Sequence, residues 1–178
     1  ILPNIDDGSK SLGISLNMLR EAERQGITEV VNTVHFQHPK MDGKDISFES
    51  IGKAVKELQR NLDDEEINVK IHIGSEVFFL PNLIELKKNP LCTMGNGKYM
   101  LIEFPIINFP NGYEDELFKL KLNGITPIIA HPERYREIQN NIQILSKFID
   151  KGYVIQLDAG SVIGHFGREA RACVNNII

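Results

Sequence analysis

Ile125-Thr126-Pro127-Ile128-Ile129-Ala130-His131-Pro132-Glu133-Arg134-Tyr135 carries an apolar run straight into a histidine, and a proline follows at once. Proline cannot donate to a ladder or continue a strand, so His131 stands where a strand stops. Arg134 comes three residues later, within reach of the same pocket. A metal-ligating residue type and a phosphate-binding type at one strand end point to a phosphate site.

The same plan of helix, glycine, strand and polar residue recurs on both sides of this stretch. Upstream, Ile27 to Val34 reads as a β-branched strand that delivers His35, with His38 three residues on. Residues 67–75 alternate through Ile67, Val69, Ile71 and Ile73 and run into Glu76, which is followed by the apolar Val77-Phe78-Phe79-Leu80. Tyr99 to Phe104 is a further strand with Glu103 inside it. Downstream, Tyr153 to Leu157 ends at Asp158-Ala159-Gly160-Ser161. An ionised carboxylate inside an apolar string is costly without a partner or a metal. For Glu103 the metal and the buried ion pair both stay open. His35 is equally a ligand or a loop residue. His38 reads as an exposed loop histidine and His72 as a half-buried strand histidine. Asp6 and Asp7 precede Gly8 and read first as capping or solvated groups, second as metal ligands.

Helices fill the intervals. One covers Ser11 to Gln25, with Ile14, Met18 and Ala22 as its stripe, Leu16 and Leu19 widening it, and Gly26 as its stop. Ser47 caps the clearest one, to Leu62, through Phe48, Ile51, Val55, Leu58 and Leu62. Asp63-Asp64-Glu65-Glu66 reads as a solvated turn and Pro81 to Lys88 as a short helix. Tyr113 to Asn123, Asn140 to Lys151 and Phe166 to Ile178 complete the set. Strands alternating with helices make an α/β fold with a parallel sheet. His35, Glu76, Glu103 and His131 lie at or near the C-terminal ends of different strands, the face where barrels keep their chemistry. An open sheet would place a glycine-rich phosphate loop at a switch point, and no such loop is present. A barrel is the expected architecture.

Composition narrows the function classes. The 178 residues suit one domain, and a net charge of −4 offers no general basic surface for nucleic acid. No apolar run approaches the ~20 residues of a membrane helix, and no signal peptide is visible. Cys92 and Cys173 fit no metal or disulfide pattern, and no Cys-x5-Arg loop supports a thiol nucleophile. The cytoplasm is the default location, and a homo-oligomer stays open. A start at Ile1 and a stop at Ile178, inside a helical pattern, read as the ends of a fragment. Two histidines and two glutamates, with Asp7, form a mixed nitrogen and oxygen set suited to manganese, iron or zinc. Such a set can activate water and clamp a phosphate. Arg134 would hold phosphate oxygens bidentately.

ILPNIDDG, TVHFQHP, GSE, LIEF and AHPERY, in this order, resemble the bacterial protein-tyrosine phosphatases of capsule and exopolysaccharide operons. These belong to the polymerase-and-histidinol-phosphatase (PHP) superfamily, and the resemblance covers nearly the whole of 1–178. It implies a distorted (β/α)7 TIM-like barrel and a site of up to three metal ions, usually manganese. The implied reaction is hydrolysis of phosphotyrosine on a cognate bacterial tyrosine kinase. By resemblance, Asp7, His35, Glu76, Glu103 and His131 are metal ligands, with Asp6 as the second choice to Asp7, and Arg134 contacts phosphate. The family pattern also has a His-x-His motif before the ILP stretch and an Asp-x-His motif beyond this chain's last residue. Neither falls within 1–178, which therefore reads as a fragment of one PHP-type domain, with the barrel incomplete at both ends. Asp158 stands where the family pattern suggests a neutral polar residue. Two further readings stay open: a PHP phosphoesterase acting on a small phosphorylated metabolite, and a non-catalytic remnant that binds its partner.

Overall fold

The computed structural model describes residues 1–178. The fold is α/β, with five parallel strands hydrogen-bonded in the order β1-β2-β3-β4-β5. The chain divides into two compact units, Ile1–Glu76 with Asn89–Met94, and Val77–Lys88 with Gly95–Ile178.

Unit 1 holds α1 (Leu12–Arg24), β1 (Glu29–Phe36), α2 (Phe48–Asp64) and β2 (Lys70–Phe78) as far as Glu76. α2 begins where Ser47 accepts the Ser50 N–H at 3.1 Å. It buries Ile51, Val55, Leu58 and Leu62 against Leu2, Leu19, Val34, Ile67, Val69, Ile71 and Leu91. Spacings of four, three and four residues are what an α-helix needs to present one apolar face. Phe48, the first residue of α2, leaves the expected stripe and is 44% exposed. The acidic turn expected at residues 63–66 is partly helix, since α2 runs on to Asp64.

α1 turns a different face inward than its apolar pattern suggests. Ile14 and Met18 are exposed, while Ser15 and Leu19 are buried. The reason is polar: the Ser15 hydroxyl donates to the Ile1 carbonyl at 2.7 Å and lies 2.8 Å from the Ser9 hydroxyl. A serine whose hydrogen bonds are satisfied can occupy a buried face. It ties the segment before α1 to the helix. Leu2, 1% exposed, is the apolar plug of that segment.

Unit 2 holds the end of β2, then β3 (Tyr99–Glu103), α3 (Tyr113–Leu122), β4 (Thr126–Ala130), α4 (Arg136–Asn140), α5 (Gln143–Asp150), β5 (Val154–Gln156), α6 (Ala159–Val162) and α7 (Arg168–Ile177). β3 pairs parallel with β4, Tyr99 to Ile102 facing Thr126 to Ile129, and β4 pairs parallel with β5. The short helix expected at residues 81–88 is only a 3-10 turn, Glu85–Lys88. α4 and α6, of five and four residues, were too short to leave a periodic signal in the sequence. Phe104, fully buried just after β3, is the hub of the aromatic core. Its ring centre lies 4.9 Å from that of Phe109, 5.1 Å from Phe79, 5.7 Å from Tyr113 and 6.0 Å from Tyr135. Most of these rings meet edge to face, the favourable quadrupole geometry. The Phe104 N–H donates to the Tyr135 hydroxyl at 3.0 Å, so the residue after β3 is fixed by the loop after β4.

Leu58→Ala opens a cavity in a close-packed core and should cost about 2–5 kcal/mol in urea unfolding. Phe48→Ala, at the exposed start of the same helix, should cost about 0.5 kcal/mol or less, the range of surface substitutions. Equal losses at the two positions would contradict the packing described for α2.

Candidate metal and phosphate site

In unit 1, Asp6, Asp7 and His35 offer ligand atoms that all lie within 4.8 Å of one another. β1 continues through His35 to Phe36, so this histidine is a strand residue, one position from the strand's end. The Asp6 carboxylate wraps its backbone and its ring. Asp6 Oδ2 lies 3.2 Å from His35 Nδ1 and 3.4 Å from the His35 amide, and Asp6 Oδ1 accepts the Gly8 N–H at 3.0 Å. Asp7 Oδ1 is 3.6 Å from the same ring nitrogen. Asp6 is the enclosed carboxylate, its side chain 9% exposed against 62% for Asp7. Burial pushes the Asp6 carboxyl up, but hydrogen bonds from His35 and the Gly8 N–H outweigh that and hold it well below the usual carboxylate range. Asp6 therefore meets His35 more closely than Asp7, the acid that the resemblance favours.

Three lysines surround this acidic pair. Lys10, Lys40 and Lys44 line the same cavity of about 210 Å³ as Asp6, Asp7 and His35. Lys10 Nζ donates to the Asp6 carbonyl at 3.0 Å, Lys44 Nζ to the Ile5 carbonyl at 2.6 Å, and Lys40 Nζ lies 3.8 Å from Asp7 Oδ2. His38, expected as a solvated loop residue, is half-buried. Its ring meets that of His35 edge-on at 5.3 Å, and its Nδ1 accepts the Lys40 N–H. Burial lowers its pKa, and nearby His35 and Lys40 lower it further. His72 stays away from the site and pairs with Glu29 at 2.6 Å. Glu76 lies within β2, two residues before the strand ends, and is the last residue of the main segment of unit 1.

In unit 2, Glu103 ends β3 and His131 follows β4, both buried, with Glu103 Oε1 3.7 Å from His131 Nε2. The backbone explains the position of His131. Its N–H still donates to the Gln156 carbonyl at 2.8 Å, one step beyond the β4–β5 ladder. Pro132 then ends the pairing, and His131 turns into the left-handed region at φ 32°, ψ 54°. A non-glycine residue there carries local strain, a feature concentrated at functional sites.

Arg134 closes the 3-10 turn Pro132–Arg134. Its guanidinium carbon sits 4.2 Å from the centre of the Phe166 ring, and Nη1 lies 3.7 Å from Asp158 Oδ2. Arg134 and Asp158 are both partly exposed. Glu133 is fully buried, a residue that sequence reasoning missed. Its Oε1 accepts the Asp158 N–H at 3.2 Å and the Ser161 hydroxyl at 2.6 Å. The signal was available: a carboxylate between a proline and an arginine beside a strand end is as expensive to bury as Glu103.

Two carboxylates with an imidazole in one group, and a buried carboxylate with an imidazole in the other, are donors suited to first-row divalent metals. Hydrolytic chemistry at phosphate needs such donors together with a cation for the phosphate oxygens.

A family model described as capsular polysaccharide synthesis, CpsB/CapC, matches residues 1–178. The tyrosine-protein phosphatase YwqE of Bacillus subtilis (strain 168) is 34% identical over 173 residues, 97% of this chain and 67% of YwqE. CapC of Staphylococcus aureus is 34% identical over 173 residues, 96% of this chain and 66% of CapC. The tyrosine-protein phosphatase CpsB of Streptococcus agalactiae serotype III (strain NEM316) is 28% identical over 169 residues, 92% of this chain and 66% of CpsB. The chain thus spans about two thirds of the length of these relatives. Among solved structures, it matches a chain from the crystal structures of YwqE from Bacillus subtilis and CpsB from Streptococcus pneumoniae, described as unique metal-dependent tyrosine phosphatases. The TM-score is 0.89 at 34% identity, over 99% of this chain and 70% of that one. With its whole length matched by the family model, the chain belongs to the CpsB/CapC family of capsular polysaccharide synthesis.

Proposed function

We propose that the protein is a metal-dependent protein-tyrosine phosphatase. It hydrolyses phosphotyrosine on a cognate bacterial tyrosine kinase and so regulates capsule and exopolysaccharide synthesis. One observation carries this reading: Arg134, partly exposed, stands on the same turn as the buried, strained His131 beside Glu103. The names and the structure of the relatives support it. The proposed metal ligands are Asp7, His35, Glu76, Glu103 and His131, and the close approach of Asp6 to His35 brings Asp6 into the same set. Manganese is the proposed ion, up to three per site, with iron and zinc as chemical alternatives. The distorted (β/α)7 barrel belongs to the same proposal.

A bound metal supplies Lewis acidity at the phosphoryl oxygens and a water of lowered pKa. The chain's own groups do the rest. Arg134 donates N–H groups to the phosphate oxygens and balances charge that builds as the phosphoryl group transfers. Burial of His131 and Glu103 keeps water out of their side of the site and fixes their direction. No helix is long and apolar enough to cross a membrane. Two buried free thiols suit a reducing cytoplasm, where we place the activity.

Hydrolysis of a phosphotyrosine peptide should need manganese and stop with chelator. Turnover unaffected by chelator, or confined to small phosphorylated metabolites, would refute the proposal. His131→Ala should lower both activity and bound metal, read by elemental analysis. Arg134→Ala should lower turnover by ~10²-fold or more, the scale of losing one charged transition-state donor, and leave the metal in place. Loss of metal in Arg134→Ala would make Arg134 structural.

A further inference from the structure

Asp158 puts a carboxylate beside Arg134, and the proposed phosphatase chemistry has no use for it. Its surroundings are built. Oδ1 accepts the Gly160 N–H at 2.8 Å, the Asp158 N–H is held by fully buried Glu133, and Ser161 donates to the same Glu133 oxygen. The turn after β5 is thus fastened to the turn that carries Arg134. The remaining oxygen of Asp158, Oδ2, faces Arg134 Nη1 at 3.7 Å. That is longer than a charge-assisted hydrogen bond, so the carboxylate attracts the guanidinium without fully engaging it.

Phe166 supplies the other side. The guanidinium lies over its ring, and the ring is seated on Gly160, where a Cβ would meet Phe166 Cε2 at 2.7 Å. Residue 160 must be small for the ring to lie there. A planar cation on an aromatic face keeps its N–H edges free for an anion.

We propose that Asp158 and Phe166 set the phosphate affinity of the site through Arg134: Phe166 holds the guanidinium flat, and Asp158 competes with the phosphate for it. This rests on the reading of Arg134 as the phosphate contact. Both are positioning residues. A phosphate dianion offers two oxygens to the guanidinium and displaces a single, loosely held carboxylate. The empty site therefore keeps its arginine in place at a cost in affinity.

The test is inorganic phosphate binding by calorimetry, with manganese and separately in chelator, together with KM and kcat for p-nitrophenyl phosphate. Asp158→Asn keeps the side-chain oxygen that caps Gly160 and removes the charge. It should tighten phosphate binding about threefold, the scale of a partly exposed ion pair, and lower KM. Phe166→Leu should weaken binding about fivefold, the scale of a cation–π contact, and Phe166→Tyr should restore it. Phe166 is 39% exposed, so these changes leave the core intact. Weaker binding in Asp158→Asn, or equal binding in Phe166→Leu and the parent, would overturn the inference, as would failure of Phe166→Tyr to rescue. Arg134→Ala separates the two levels. If it leaves phosphate binding unchanged, the phosphate reading of Arg134 fails. If it weakens binding while the Asp158 and Phe166 variants match the parent, only the present inference fails.

Discussion

Unit 2 depends on how β4 ends. The ladder to β5 is kept to the last available donor, the His131 N–H, and is then broken by a proline that has none. The left-handed turn at His131 sends successive side chains in separate directions. His131 turns toward Glu103, Glu133 goes into the interior to hold the turn after β5, Arg134 goes out onto Phe166, and Tyr135 reaches back to the Phe104 amide. Five residues so connect the ends of three strands and two loops of this unit. The strain at one φ angle is small beside the contacts that hold it.

Unit 1 solves a different problem, which is to enclose a carboxylate beside an imidazole. Asp6 stays charged there, because the Gly8 amide and His35 give it hydrogen bonds that favour the ionised form. Lys10 and Lys44 do not pair with the carboxylates at all. They hold the backbone carbonyls of the loop, which fixes the loop and adds positive potential around the acids, while Lys40 approaches Asp7 Oδ2 at 3.8 Å.

Strand positions and the ligand-type residues were legible because each is written in a short run of sequence. β-branched and apolar runs survive any tertiary detail, though β1 runs on through His35 and β3 takes in Glu103, so the strand ends were less exact than the strands. The face of α1 was legible only in part: Leu19 is buried and Leu16 packs on the core as its pattern suggests, but Ile14 and Met18 are exposed. A tertiary hydrogen bond from Ser15 overrode that part of the pattern. The preference between Asp6 and Asp7 was equally hidden, since adjacent identical residues differ only in where the backbone points them. Asp158 could be noticed as an odd charge, but its link to Glu133 joins residues 25 apart and leaves no local signature. Glu133 itself could have been found by the rule that exposed Glu103.

The two cysteines have a consequence outside the site. Cys92 is fully buried and its thiol is pushed up to about 12 by burial, while Cys173 is 5% exposed and shifted in the same direction. Neither supplies the thiolate that peroxide attacks. Phosphatases that use a cysteine nucleophile are silenced when an oxidant converts that thiolate to a sulfenic acid. The groups gathered around His35 and His131 are carboxylates, imidazoles and a guanidinium, so neither cluster places a thiol where an oxidant would find one.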